Sequence, residues 1–392
     1  MVAGEYPPAV GGLADYTAML SGKLETLGFS VTVATARRDA SLCSGRTLNV
    51  PGWGLRWIGE VARRIAETRP DVVHLQYQAA AFEMSGAIAL LPLALRRWGA
   101  RPAFVTTFHD LRVPYLFPKA GPLRRAVLRV LMGMSDASIF VDPVDLVAAR
   151  PRRAAAWIPI GNTIARSPNP NPTAERARLG IDPGAFVVAY FGFINASKGV
   201  DVLLAASERL VRSGLDLVLL FVGDEVGSSD PTNAATARRM RARATALGLD
   251  GRIVRTGALP AADIPRALAA ADMAALPFLD GASMRHASLL ACLAQGLPVV
   301  TTTPRPAPAL LPRYLAPPFE DTASYRIDEH VAELIPPNDD AALARAIHRL
   351  ANDPPRREAL AREGRALADR LDWGSIAQAT AEVYRRASAR RR

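Results

Sequence analysis

Short apolar runs rich in β-branched and aromatic residues alternate along this chain with longer stretches whose apolar residues recur every three or four positions. The first kind of run suits a strand buried on both faces, and the second suits a helix with one buried stripe. Strand-type runs fall at residues 2–3, 30–35, 72–75, 103–107, 137–141 and 155–158, then at 187–191, 217–222, 253–256, 273–276 and 298–301. Helical patterns lie between them at 12–27, 59–68, 82–98 and 122–134, and again at 200–213, 232–247, 261–270 and 285–294. This alternation predicts an α/β fold built from doubly wound parallel sheets. The first run is short for a buried strand, which usually has about five residues. We read that as a start placed a few residues late or a truncated chain.

One stretch interrupts the alternation. From Arg166 to Thr173, prolines and asparagines take every second place or more, which suits neither helix nor sheet ladder and predicts a linker. The expected division is therefore 1–165 and 166–371, two Rossmann-like domains facing a cleft. A last helix capped by Asp372 packs back on the first domain in this reading, followed by a frayed basic tail from 385 to 392.

Composition narrows the partners. The formal net charge is +11, mostly from arginine, which suits anionic ligands such as nucleotide-sugars or a phospholipid surface. Aromatic residues make up only 6%, which disfavours a nucleic-acid binder that stacks bases. The two cysteines, Cys43 and Cys292, form neither a disulfide framework nor a metal motif, so a reduced, cytoplasmic protein is expected. No apolar stretch approaches the roughly 20 residues needed to span a bilayer. The segment 114–118 and the helix after it, with Arg124, Arg125 and Arg129 along one side, form a basic amphipathic element that fits an anionic membrane surface.

The candidate chemistry gathers at strand ends. After the apolar run ending at Phe191, Gly192 opens a loop with Asn195 and Lys198, and Gly199 leads into a helix. A strand delivering a cation to a helix start is how α/β proteins hold phosphate, through backbone N–H groups, the helix dipole and the added charge. Further along, Asp280, Ser283, Arg285, His286, Ala287 and Ser288 crowd before a second helix. Two anion-type turns in one domain predict a diphosphate ligand. In the first half, Gly11 and Gly12 precede a helix, while His74 and the pair His109-Asp110 close apolar runs. Polar groups at the carboxyl ends of parallel strands lie where such folds bind ligands, and neither histidine has metal-ligand spacing. A dinucleotide-dependent oxidoreductase is disfavoured, because no Gly-x-Gly-x-x-Gly turn is followed by a suitably spaced acid.

Several motifs occur in a fixed order: Tyr6-Pro7-Pro8 with Gly11-Gly12, Pro70-Asp71-Val72-Val73-His74, His109, and Ile158-Pro159-Ile160-Gly161-Asn162. Gly192 with Lys198-Gly199, Val222-Gly223-Asp224, and Leu276-Pro277 with Gly296-Leu297-Pro298-Val299-Val300 follow. Together they resemble the retaining GT-B-fold glycosyltransferases of family 4, over nearly the whole chain. The resemblance implies transfer of a sugar from a nucleotide-diphosphate-sugar to a hydroxyl on a glycan or lipid-linked acceptor, with retained anomeric configuration. It implies no metal or other cofactor, and a role in polysaccharide biosynthesis on the inner membrane face. By the same likeness Gly12 contacts the donor or acceptor, His109 faces the donor sugar, Lys198 binds the diphosphate, and amides near Ala287 and Ser288 hold its distal phosphate. Arg285 would be a second cation, with Gly192, Asn195, Asp280, Ser283 and His286 around the donor and Gly11, His74 and Asp110 toward the acceptor.

Three positions depart from the family pattern. Phe193 stands where an arginine is usual, and the two glutamates of the family fall on Ser283 and Ala291. These departures imply a divergent branch. They also define a second expectation, a non-catalytic protein of the same fold acting in glycan assembly or its regulation.

Overall fold

A computed structural model describes residues 1–9, 11–36, 46–111, 121–224, 232–306 and 310–389. Cys43, residues 114–118 and the last three arginine-rich positions lie outside them. The chain divides into two compact units.

The first unit takes in residues 1–160 together with 307–322 and 373–392. Its strands are β1 (Val2–Ala3), β2 (Val33–Thr35), β3 (Thr47–Asn49), β4 (Val72–Tyr77), β5 (Ala103–Phe108), β6 (Ala137–Phe140) and β7 (Ala154–Trp157). They form one parallel sheet in the order β3-β2-β1-β4-β5-β6-β7. Every residue of β5 is buried, the mark of a strand covered on both faces. The covering helices are α1 (Gly12–Thr26), α2 (Ile58–Glu67), α3 (Leu91–Arg97), α4 (Gly121–Met134) and α5 (Pro143–Ala149).

The second unit takes in residues 161–306 and 323–372. Its strands are β8 (Phe186–Phe191), β9 (Leu217–Val222), β10 (Ile253–Arg255), β11 (Met273–Leu276), β12 (Val299–Thr302) and β13 (Glu333–Ile335). They are also parallel, in the order β10-β9-β8-β11-β12-β13. Around them lie α6 (Pro172–Leu179), α7 (Val200–Arg212), α8 (Thr232–Ala246), α9 (Ile264–Ala269), α10 (Ala287–Gln295), α11 (Asp340–Ala351) and α12 (Pro354–Asp369). A last helix, α13 (Trp373–Ala389), belongs to the first unit, where it packs on α1 and β5. It stays helical through Arg385 and Arg386, which the sequence reading assigned to a frayed tail.

Four expectations need correction. The predicted helix 82–98 is broken: Glu83 and Met84 take positive φ (53° and 61°), and Ser85 caps a tight turn from Gly86 to Leu90 before α3 begins. The stretch 166–173 is not a free linker. Arg166 donates to the Ala294 carbonyl at 2.8 Å and pairs with Asp369, and Asn171 caps α6, so the segment is fastened to the second unit. The short piece 310–322 leaves the second domain for the first because Phe319 is fully buried there, 6.2 Å from the Trp157 ring. The helix predicted from Arg285 starts at Ala287 instead, since the preceding residues fold into a hydrogen-bonded turn. The periodicity also passed over β3, β13, α5, α6, α11 and α12, several of which are short or strongly polar.

Candidate functional site

In both sheets the strand order reverses once, and open parallel sheets bind ligands outside the carboxyl ends of the strands at that reversal. In the second unit the reversal lies between β8 and β11. The loops leaving these two strands carry nearly all the predicted donor residues.

Gly192 ends β8 with φ of 121°, and a Cβ there would stand 3.5 Å from Cβ of Ser288. Asn195 then caps a single tight turn, its Oδ1 accepting from the Ser197 amide at 3.1 Å and hydroxyl at 2.8 Å. Gly199 follows with φ of 70°; a Cβ at this position would lie 1.9 Å from the Pro277 carbonyl oxygen. Only glycine lets the two loops close on each other here. The Leu279 amide donates to the Ser197 carbonyl at 2.9 Å and locks them together.

Between the loops stands Lys198. Its Nζ donates to Ser288 Oγ at 3.3 Å and lies 4.9 Å from the centre of the Phe278 ring. Among the described residues no carboxylate pairs with it. The residue as a whole keeps partial exposure, yet desolvation lowers its pKa to about 8, and the like charge of Arg285 adds to the effect. Arg285 itself is nearly buried and donates to Asp280 Oδ2 at 3.1 Å. His286 stacks on Phe278 at 3.8 Å and accepts at Nδ1 from the Ser283 amide at 3.2 Å. That bond leaves the proton on its Nε2. Ser283 also accepts from the Arg285 amide at 3.3 Å.

Helix α10 begins directly beneath this cluster with no side-chain cap on its first turn. Ala287 and Ser288 hold its first two amides, which no carbonyl of the helix can satisfy. An uncapped helix start and a partly desolvated ammonium together make a site electrostatically ready for a dense anion, with Arg285 beside them already paired to Asp280. Cys292, one turn further, is buried, and its thiol is pushed up to about 12, so it stays neutral. Ala291 is fully buried in the same helix and offers no polar atom at the position of the family glutamate.

In the first unit, Gly11 is the residue before α1, and nothing lies within 4 Å of where a Gly12 side chain would stand. Tyr16, one turn into α1, meets the His109 ring edge-on at 4.6 Å. His109 follows β5 directly, with partly exposed Asp110 beside it. Burial drives the His109 pKa down to about 3, so the ring is neutral at ordinary pH. Its Nε2 lies 2.9 Å from Gln76 Oε1.

His74 does not belong with these residues. β4 continues to Tyr77, which leaves His74 inside the strand rather than at its end. The ring is 1% exposed, with Nδ1 2.7 Å from the Tyr384 hydroxyl and Nε2 2.7 Å from Thr107 Oγ1. It is a satisfied core histidine, and its expected acceptor-side role falls.

The structure adds residues that sequence patterns do not reveal. Phe278 looks like a core position in a sequence and Gln76 like a polar residue past a strand, and only the fold brings them to Lys198 and His109. Arg124 was expected on the exposed side of α4 with Arg125 and Arg129, but it turns inward. Its Nη2 contacts Met84 Sδ at 3.4 Å, and its buried Nη1 has no hydrogen-bond partner among the described residues. Desolvation lowers its pKa. Among the described residues no group of three or more His, Cys, Asp or Glu side chains is gathered as a metal site would require, and no helix is long and apolar enough to cross a membrane.

Comparison with known proteins agrees with this architecture. A family model described as Glycosyltransferase Family 4 matches residues 10–145, and one described as Glycosyl transferases group 1 matches residues 185–353. A D-inositol 3-phosphate glycosyltransferase of Kineococcus radiotolerans is 30% identical over 250 residues, covering 62% of this chain and 54% of the relative. The chain thus matches about half the length of that relative. A GDP-mannose-dependent alpha-(1-6)-phosphatidylinositol monomannoside mannosyltransferase of Mycolicibacterium smegmatis is 25% identical over 409 residues, covering 98% and 97%. Among solved structures, sucrose-phosphate synthase of Thermosynechococcus elongatus superposes with a TM-score of 0.74 at 21% identity, covering 97% of this chain and 94% of that one. HepE of Anabaena, in complex with UDP and glucose, gives 0.71 at 17% identity with 97% of both chains covered. The fold is GT-B, two parallel-sheet α/β domains. The chain belongs to glycosyltransferase family 4.

Proposed function

We propose that this protein transfers a sugar from a nucleotide-diphosphate-sugar to a hydroxyl of a glycan or lipid-linked acceptor, with retention of anomeric configuration. The observation that carries the reading is the meeting of Lys198 and Ser288 at the reversal point of the second sheet, over the uncapped start of α10. Negative charge builds on the diphosphate as the anomeric C–O bond breaks. Fixed donors aimed at that charge are the main lever on the barrier, each worth roughly 3–4 kcal/mol. Lys198 and the α10 amides supply them, and Arg285 adds a second cation. The reading asks for no metal, since these groups take the charge themselves.

In the retaining route the acceptor oxygen attacks from the face that the diphosphate leaves. The new C–O bond forms as the old one breaks, and the departing phosphate oxygen takes the acceptor proton. His109, neutral throughout, serves to hold a sugar hydroxyl rather than to attack. The relatives' names specify inositol-phosphate and phosphatidylinositol mannoside chemistry. The buried Nη1 of Arg124, which has no hydrogen-bond partner among the described residues, supports an acceptor of the same anionic kind. A polybasic surface around Arg125 and Arg129 fits an acceptor presented on an anionic membrane.

Incubation with a pooled set of nucleotide-sugars and phosphorylated polyol or lipid acceptors, read by mass spectrometry, tests the proposal. A hexosylated product with the donor's anomeric configuration is expected, unaffected by a chelator and lost in Lys198→Ala. No product, together with no donor raising the melting temperature, would instead mark a non-catalytic protein, as the residues at Phe193, Ser283 and Ala291 would allow.

A further inference from the structure

A buried polar chain runs through the first unit from its last helix to the site. Tyr384 on α13 meets His74 Nδ1 at 2.7 Å, and Thr107 meets His74 Nε2 at 2.7 Å. The Gln76 side-chain amide lies across the same ring, its Nε2 at 3.3 and 3.4 Å from the two ring nitrogens. Its other end, Oε1, reaches His109 Nε2 at 2.9 Å. Gln76 is fully buried, and so are His74 and Thr107.

A carboxamide oxygen can only accept. His109 Nε2 must therefore carry the proton, and neutral imidazole then leaves Nδ1 with a free lone pair. Among the described residues Nδ1 has no hydrogen-bond partner. The ring can offer a sugar hydroxyl an acceptor, but it cannot donate a proton from that nitrogen. Gln76 keeps its orientation only while its amide faces His74, and His74 keeps its own while Tyr384 and Thr107 hold it on both sides.

We propose that Gln76 is a positioning residue that fixes His109 as the Nε2–H tautomer, with Nδ1 presented as a neutral acceptor, and that Tyr384 on the C-terminal helix maintains this arrangement through His74. The assignment of the accepted group as a sugar hydroxyl rests on the function proposed above; the tautomer does not. This gives Tyr384 on α13 a part in the site through His74 and Gln76. It also explains why a histidine and a glutamine separated by one strand residue, His74 and Gln76, are buried together as a polar couple.

Long-range proton–nitrogen correlation spectra of the full-length protein labelled with 15N-histidine decide the point without any substrate. The expected signal for His109, assigned by its loss in His109→Asn, is the Nε2–H form over the whole range from pH 6 to 8. Gln76→Leu should give mixed tautomers and lower sugar transfer by roughly 10- to 100-fold, as for other partners that orient a functional histidine. Gln76→Glu keeps an accepting oxygen and should restore the single tautomer while moving the His109 titration upward into the measurable range. Tyr384→Phe should broaden or mix the His109 signals from the far end of the chain. Titration of a nucleoside diphosphate should be unchanged in all three variants, which separates this proposal from failure of the Lys198 site. An Nδ1–H signal in the wild-type protein would overturn it, as would one unchanged tautomer in both Gln76→Leu and Tyr384→Phe. If Gln76→Leu does not fold, Gln76→Glu and Tyr384→Phe decide alone.

Discussion

Lys198 Nζ stands 3.3 Å from Ser288 Oγ, although the two residues are 90 positions apart in sequence. They meet because β8 and β11 are neighbours at the point where the second sheet reverses its winding, so the loops leaving both strands open on the same edge. One loop brings the cation and the other brings a helix start. Neither is a strong anion site alone; together, with no carboxylate on the lysine among the described residues, they leave positive charge to be answered by a ligand.

Phe278 sets where that charge sits. Its ring lies 4.9 Å from the ammonium and is held in place by the His286 ring stacked at 3.8 Å. Phe278→Leu preserves most of the buried volume but removes the aromatic face, worth about 0.5–2 kcal/mol to a desolvated cation. Nucleoside diphosphate affinity should fall by about 3- to 30-fold, measured by calorimetry. A change of less than twofold would show that the ring is only packing.

The pH dependence of that affinity has a definite sign. In the empty site Lys198 loses its proton near pH 8, whereas beside a diphosphate it should recover an ordinary value near 10.4. Binding should therefore take up a proton between these limits. Affinity should be flat up to pH 8 and then decline by up to about tenfold per unit, visible as buffer-dependent heats in calorimetry. Affinity that holds constant from pH 8 to 10 would contradict a charged Lys198 in the complex.

Stability should respond to acid through the histidines of the first unit. Burial lowers the pKa of both His74 and His109, His109 to about 3, while in the unfolded chain each returns to about 6.5. The unfolded state then binds more protons below pH 6.5, so stability falls as the pH drops from there toward 3. His109 contributes a loss of roughly 2 kcal/mol by pH 5, and His74 adds to it in the same direction. Denaturant titrations at pH 7 and pH 5 should show it, and His74→Gln should make the difference smaller.

Gly199 leaves no room for a side chain. A Cβ would fall 1.9 Å from the Pro277 carbonyl oxygen, and the backbone has φ of 70°. Gly199→Ala must push the two loops apart, at a cost of about 3 kcal/mol or more from strain and lost contacts. Its midpoint in denaturant should fall accordingly, and the Lys198 to Ser288 contact should open in a crystal structure of the variant.

The frame of the molecule is legible in the chain because strands buried on both faces write themselves as unbroken apolar runs. β5, β8 and β9 appear at nearly their observed limits. The donor-side turns are legible for a related reason: polar and glycine residues that follow such a run must stand at the strand's carboxyl end. The same rule misplaces His74, because Gln76 and Tyr77 after it are also strand residues, and a polar glutamine conceals where β4 ends. Gln76, Phe278 and Tyr384 cannot be found by pattern, since their partners are fixed by strand order and helix docking rather than by local spacing. The break before α3 and the fastening of 166–173 escape for a similar reason. Positive φ at Glu83 and Met84 and the hold of Arg166 on Ala294 depend on contacts made only in the folded unit.

The central claim is that the second unit grips a diphosphate chiefly through Lys198. Calorimetric titration of the wild-type protein and Lys198→Met with a panel of nucleoside diphosphates tests it most directly. At pH 7.5 at least one should bind the wild type, and the variant should bind it about 100-fold more weakly while melting at a temperature no lower than the parent, because a desolvated ammonium has been removed. Equal affinity in the two proteins would contradict the account.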